Sequence, residues 1–124
     1  MADASATAKE IWFITTRESR IYTLDLTDDL ASSETINAVS GTNGSYTLGV
    51  TAAAAVTVGT PAVNTGTVSY TDADGEAITI AVGKAIQVRL AAASGVVGTQ
   101  YTITFLYATT TSDRKEAFAT LQVI

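Results

Sequence analysis

Few side chains of this sequence could do chemistry, and the densest group of them is the acidic run Asp72, Asp74 and Glu76. These carboxylates alternate around Gly75, and oxygen ligands at alternate positions are what a calcium-binding loop supplies to its hard cation. The remaining ligands of such a loop, including its distal bidentate glutamate, are missing at the expected spacing. We therefore treat the three residues as weak metal candidates and favour a solvated hairpin turn, in which Asp and Gly serve the backbone.

Catalytic groups are equally scarce. The chain has no histidine and no cysteine, which removes the commonest general base, the commonest metal ligand and any thiolate site. A nucleophilic serine or threonine would need a base within reach. The only lysines are Lys9, Lys84 and Lys115, and the sequence lacks the Ser-Asp-Asn and Lys-Thr-Gly motifs that accompany a Ser-x-x-Lys nucleophile. The sequence therefore predicts a protein that is not an enzyme and carries no cofactor.

The other charged residues are interpreted as surface groups. A second acidic patch is predicted to solubilise turns: Asp25, Asp28, Asp29 and Glu34. Arg114 and Lys115 are predicted to keep a hairpin edge soluble, with a rim contact to an acidic partner as the alternative. The net charge of −5 disfavours nucleic acid as a partner, and no apolar run approaches the roughly 18 residues of a membrane span.

Hydrophobic alternation indicates the elements that must position these groups. The segment Ala85–Tyr107 contains two runs in which every second residue is apolar, separated by a turn at Gly95 and Gly98. Two strands joined in this way are expected to form the middle of an antiparallel β-domain. Similar short runs are found at residues 11–16, 20–26, 35–40, 46–50, 54–58, 62–70, 76–80 and 116–124.

These runs predict about eight or nine strands, with turn signals about every ten residues, which is typical of a sandwich with Greek-key connections. We therefore predict an immunoglobulin-like (Ig-like) antiparallel β-sandwich. Asp74-Gly75 predicts a hairpin, and Tyr101, just after a turn, is placed as in a tyrosine corner. Leu30 is expected to plug one end of the core, and Phe118 to sit at a bulge.

The N-terminal residues suggest a separate arm. Residues 1–10 are small and polar and are expected to be flexible or ordered by a partner, so that residues 11–124 form a single Ig-like domain. Ile11, Trp12 and Phe13 then begin the domain and are the candidate partner interface. They either pack on the core as a first strand or dock into a neighbouring subunit.

Two segments resemble a family of small bacteriophage virion proteins. Arg20–Ser40 contains a Tyr-x-x-Asp strand, a leucine and a Glu-Thr-Ile step, and Ala85–Ile124 contains Gly-Thr-x-Tyr-x-Ile, a threonine-rich turn, an Asp-Arg step and a final Leu-x-Val strand. Together they cover roughly half of the chain. Leu26 stands where the family pattern has tryptophan, and the middle of the chain is longer and alanine-rich.

The resemblance implies a non-catalytic Ig-like module located in the virion, in many copies or as a homo-oligomer, with other virion proteins as partners. A tail or neck adaptor that links fibres to the particle is the first function implied, and a capsid decoration protein that cements the head is the alternative. A carbohydrate-binding or host-adhesion module is the third hypothesis. It would require exposed aromatic residues, of which the whole chain has few candidates.

Overall fold

The computed structural model describes residues 8–37, 48–71, 74–110 and 114–124. Within these ranges the regular structure is almost entirely β, with one 3-10 turn at Thr27–Asp29. The strands are β1 (Ala8–Ile14), β2 (Ser19–Asp25), β3 (Ile36–Asn37), β4 (Gly49–Thr51), β5 (Thr57–Val58), β6 (Ala62–Val63), β7 (Val68–Thr71), β8 (Ala77–Ile80), β9 (Ala85–Ala91), β10 (Gln100–Thr109) and β11 (Arg114–Val123). The all-β prediction is confirmed. The described ranges contain no helix that is long and apolar enough to cross a membrane.

The strands form two main sheets and a hairpin. In the first sheet β11 lies between β1 and β10, and the far side of β10 pairs with β3 and then β4. In the second sheet β9 pairs with β2 on one side and with β5 and β6 on the other. The third unit is the antiparallel β7–β8 hairpin, in which Val68 lies opposite Ile80.

Residues that alternate in the sequence meet in one core between the two main sheets. Every second residue of the long strands is buried, and the largest fully buried side chains include Leu24, Ile86, Val88, Leu90, Ile103, Phe105, Tyr107, Leu121 and Val123. Members of both sheets belong to the same hydrophobic cluster. Burying one such side chain stabilises the fold by about 1.5–3 kcal/mol. Leu30 joins this cluster, as predicted.

The two central strands do not pair with each other, which refines the sequence prediction. β9 pairs with β2 from Ser19↔Ala91 to Asp25↔Ala85, whereas β10 pairs with β11 in the other sheet. The connection at residues 92–99 therefore crosses from one sheet to the other. Alternation of apolar residues shows which face of a strand is buried. Two strands that face each other across a core have the same alternation as two strands that pair within one sheet, so the pattern does not tell which strands pair.

β1 departs from the expected antiparallel arrangement. It pairs in parallel with β11, with Ile11 opposite Thr120 and Ile14 opposite Val123. Ala8 lies opposite Phe118 and Ile11 opposite Thr120, so β1 has one more residue than β11 over this stretch. The pairing of β10 with β11 is regular through Phe118. The bulge therefore lies in β1 and not at Phe118. β1 also begins at Ala8, so the strand includes the last three residues of the predicted arm.

Several turns follow the sequence prediction. Gly75 has a positive φ of 81°, as the hairpin between β7 and β8 requires, and the backbone N–H of Val96 donates to the hydroxyl of Tyr101 at 3.2 Å. Tyr101 thus bonds back to the backbone upstream, as predicted for a tyrosine corner. The predicted strand at 62–70 is divided between β6 and β7. The turn at 41–45 and residues 38–40 lie outside the described residues.

Candidate functional site

The three metal candidates do not form a described site. Asp74 and Glu76 are exposed on the β7–β8 turn, and Asp72 lies outside the described residues. In the part of the chain that the structure covers, no three acidic side chains come together in a way that could hold a metal ion.

The candidate interface residues are divided between two faces of β1. Ile11 and Phe13 point outward and are 58% and 51% exposed, whereas Trp12 points inward and packs against the core. Strand alternation imposes this division because successive side chains lie on opposite faces. The first-strand interpretation thus describes Trp12, while Ile11 and Phe13 remain available for a partner.

Trp12 is fixed by an aromatic contact across the side of the sandwich. Its indole stacks on the ring of Tyr22 in β2, with ring centroids 5.0 Å apart and planes at 9°, and meets Phe105 edge-on at 6.0 Å. The Tyr22 hydroxyl donates to the carbonyl oxygen of Phe13 at 2.7 Å. This contact joins β1 of the first sheet to β2 of the second.

The environment of Tyr22 also affects its ionisation. Burial raises the pKa of its hydroxyl above the ordinary value, the positive charge of Arg20 opposes that rise, and Glu18 reinforces it. The Arg20 guanidinium lies 5.8 Å from the centre of the Tyr22 ring, within the range of a cation–π contact. Arg20, Tyr22 and Trp12 are therefore linked through the one tyrosine ring.

A small cleft lies beside Trp12, between β1, β2 and the β7–β8 hairpin. It has a volume of about 180 Å³, and we call it the aromatic cleft; its lining consists of Trp12, Thr23, Asp25, Val68, Tyr70 and Ile80. The Tyr70 hydroxyl lies 3.3 Å from Oδ2 of Asp25, so the hairpin reaches β2 at this point. Alternation in β2 and β7 is what brings these side chains to one place.

The sequence contains little that would have revealed the cleft. The resemblance includes the Tyr22–Asp25 strand, and Trp12 is a candidate partner contact, but neither of these predicts a cleft. Tyr70 ends the predicted strand at 62–70, and alternation alone does not indicate a site there. The cleft arises because the 62–70 run is divided into β6 and β7, and β7 lies close to β2. Residue types alone do not indicate this division.

The second acidic patch is divided: Asp28 is exposed on its turn as predicted, whereas two other members are buried. Asp29 is 6% exposed and Glu34 is 2% exposed, and both lie in the loop at residues 26–35, which carries the chain from the second sheet to the first. Asp25 is bound locally, because its Oδ1 accepts hydrogen bonds from the N–H and hydroxyl of Thr27 at 3.0 and 2.6 Å. The prediction of solubilising turn residues is therefore wrong for Asp29 and Glu34.

Two lysines hold this loop over the end of the core. The ammonium group of Lys84 donates to the carbonyl oxygens of Ala31, Ser32 and Glu34. Lys115 Nζ donates to the carbonyl oxygen of Asp29 at 2.6 Å and lies 3.6 Å from Oε1 of Glu34. Lys115 was expected on a solvated hairpin edge, but its side chain is only 11% exposed.

Comparison of the chain with known protein families, with curated proteins and with solved structures finds no match.

Proposed function

We propose that this protein is a non-enzymatic structural component of a bacteriophage virion, an Ig-like adaptor that docks on the tail or neck complex and links fibres to the particle. The resemblance of Arg20–Ser40 and Ala85–Ile124 to small virion proteins supports this function. The Ig-like assignment is supported by the core that the two sheets share, by the crossing of the chain from one sheet to the other at residues 92–99, and by the Tyr101 turn.

The observation that carries the docking proposal is the outward face of β1. In the described part of the chain β1 is the outermost strand of its sheet, and Ile11 and Phe13 are more than half exposed on it. Large apolar side chains on an outer strand favour association with another protein. Their neighbours on β11 are Thr120 and Gln122, so the surface is apolar with a polar border, as interfaces commonly are.

The backbone of β1 is less suited to adding a further strand. The bulge near its start interrupts regular pairing, and the carbonyl of Phe13 already accepts the hydroxyl of Tyr22. A partner would therefore contact the side chains of Ile11 and Phe13 instead of extending the sheet. This arrangement also limits self-aggregation through the edge.

The docking proposal is tested by replacing Ile11 and Phe13 together with serine. Losing two buried apolar side chains from an interface costs about 3 kcal/mol, so binding to the virion partner should weaken about 100-fold and particles should incorporate less of the variant. The control replaces Val96 and Val97 with serine, since these valines are 62% and 66% exposed in the loop between β9 and β10. Equal incorporation of both double variants would contradict docking through β1.

The copy number in purified particles separates the adaptor from a capsid decoration protein. About a dozen copies relative to the major capsid protein, measured by quantitative mass spectrometry, would agree with a symmetric tail or neck position. Copies on the order of hundreds would support head decoration instead. Absence from the particles would contradict both virion functions.

A further inference from the structure

We propose that the aromatic cleft binds a single neutral sugar ring. The proposal concerns a face of the molecule other than Ile11 and Phe13, and it stands whether or not the chain is a virion adaptor. At about 180 Å³ the cleft is smaller than the roughly 300–1,000 Å³ of pockets that hold drug-sized ligands. It has room for one ring at the end of a glycan and not for a longer stretch.

The walls of the cleft suit the apolar face of such a ring. Trp12 and Tyr70 contribute aromatic surface, and Val68 and Ile80 complete the apolar lining. Tyr22 stacks on one face of the Trp12 indole and Phe105 meets it at 89°, so only the remaining part of the indole lines the cleft. The electron-rich face of an aromatic ring attracts the weakly positive C–H groups of a sugar.

The polar groups of the cleft suit sugar hydroxyls. Asp25 Oδ2 can accept a hydrogen bond from a hydroxyl, and the Thr23 hydroxyl can donate one, since its oxygen already accepts from Gln87 Nε2 at 3.2 Å. The Tyr70 hydroxyl is the third polar group at the site. A few polar groups converging within an otherwise apolar lining are the usual composition of a small-molecule site.

The charge of the cleft limits the class of ligand. Among the described residues, Asp25 is the one carboxylate that lines it and no basic side chain does, so phosphate, sulfate and acidic sugars are disfavoured. An organic cation is the main competitor, because aromatic rings beside a carboxylate also bind quaternary ammonium groups. Asp25 already accepts hydrogen bonds from Thr27 and Tyr70, which reduces its need for a cation and favours a neutral ligand that donates hydroxyls.

Trp12 is the only tryptophan of the chain, so its fluorescence reports directly on the cleft. The experiment titrates the full chain with the methyl glycosides of glucose, galactose, mannose and N-acetylglucosamine. At least one glycoside should change the emission saturably, with a Kd of about 1–10 mM, as expected for so small a ligand. The backbone amides of Thr23 and Tyr70 should shift in NMR spectra of the same titration.

Matched variants locate the response. Tyr70→Ala should weaken binding at least tenfold, whereas Phe13→Ala, which also removes a half-exposed aromatic ring, should leave it unchanged. Thr23→Val preserves the shape of its side chain and should weaken binding several-fold, and it keeps the test decisive if Tyr70→Ala does not fold. No saturable response to any glycoside, or equal binding by both cleft variants and the wild type, would overturn the proposal. A response to tetramethylammonium chloride in place of the glycosides would also overturn it.

Discussion

Asn64 is expected to be a large source of stability for this fold. Its side chain is 3% exposed and makes four hydrogen bonds to the backbone. Oδ1 accepts from the N–H groups of Gly83 and Ala85 at 3.1 and 3.0 Å, and Nδ2 donates to the carbonyls of Gly66 and Ala81, each at 2.9 Å. The amide thus continues the pairing of β6 with β9 at the point where the chain leaves the sheet.

The cost of Asn64→Ala can be worked out from these bonds. Gly83 keeps a bond to the Asn64 carbonyl, and the Ala81 carbonyl keeps a bond from Lys84 N–H. The Ala85 N–H is left in a buried strand without its acceptor, which costs about 1–3 kcal/mol, and each of the other lost bonds costs about 0.5–1 kcal/mol. The sum is about 2.5–6 kcal/mol, a large part of the 5–15 kcal/mol that stabilises a typical domain.

Urea unfolding is the suitable assay. With an m-value of about 2 kcal/mol/M, the loss should lower the midpoint by about 1–3 M. Asn64→Asp should also be destabilised at neutral pH, because a carboxylate would face the carbonyls of Gly66 and Ala81 instead of donating to them. Thr65→Ala, at an exposed neighbouring position, should change the free energy of unfolding by no more than about 0.5 kcal/mol. A midpoint for Asn64→Ala within about 0.3 M of the wild type would refute the reasoning, since water would then satisfy the same groups.

Two further predictions concern the lysine-held loop and the Trp12 contact. Lys84→Met should lower the free energy of unfolding by about 2 kcal/mol, because charge-assisted bonds to three carbonyls are lost. The same variant should speed amide hydrogen exchange at residues 31–35. Unchanged exchange at those residues would show that Lys84 does not hold the loop. Tyr22→Phe should cost about 0.5–1.5 kcal/mol at neutral pH through the lost bond to Phe13 and should also alter the pH dependence. Because the folded-state pKa of Tyr22 is raised, its contribution is complete below the unfolded value of about 10 and is lost as pH rises through the folded value. Denaturant titrations should therefore show the stability gap between wild type and Tyr22→Phe narrowing above about pH 10, and a constant gap would contradict the assignment.

The docking face and the cleft depend on the same strand. Ile11 and Phe13 lie outward on β1, while Trp12 between them turns inward to Tyr22. A partner on the outer face and a sugar in the aromatic cleft would thus contact opposite faces of one strand, and the two proposals can be tested separately with Phe13→Ala and Tyr70→Ala.

The sequence by itself determined the all-β class, the buried face of each long strand and the hairpin at Asp74-Gly75. Period-two alternation of apolar residues is a local property of an extended chain, and it does not depend on which strands lie beside it in the sheet. The same is true of the Tyr101 turn, whose bond spans five residues. The lack of histidine and cysteine was likewise a property of the sequence.

Only the tertiary structure decided which strands pair and which polar residues are buried. β9 and β10 belong to different sheets, and β1 lies parallel to β11, because pairing depends on contacts between residues far apart in the chain. For the same reason Asp29 and Glu34, which have the composition of a solvated turn, are buried beside Lys115, whose ammonium group comes from 86 residues beyond Asp29. A charged side chain can be buried when distant partners satisfy its hydrogen bonds, and the presence of those partners is set by the fold.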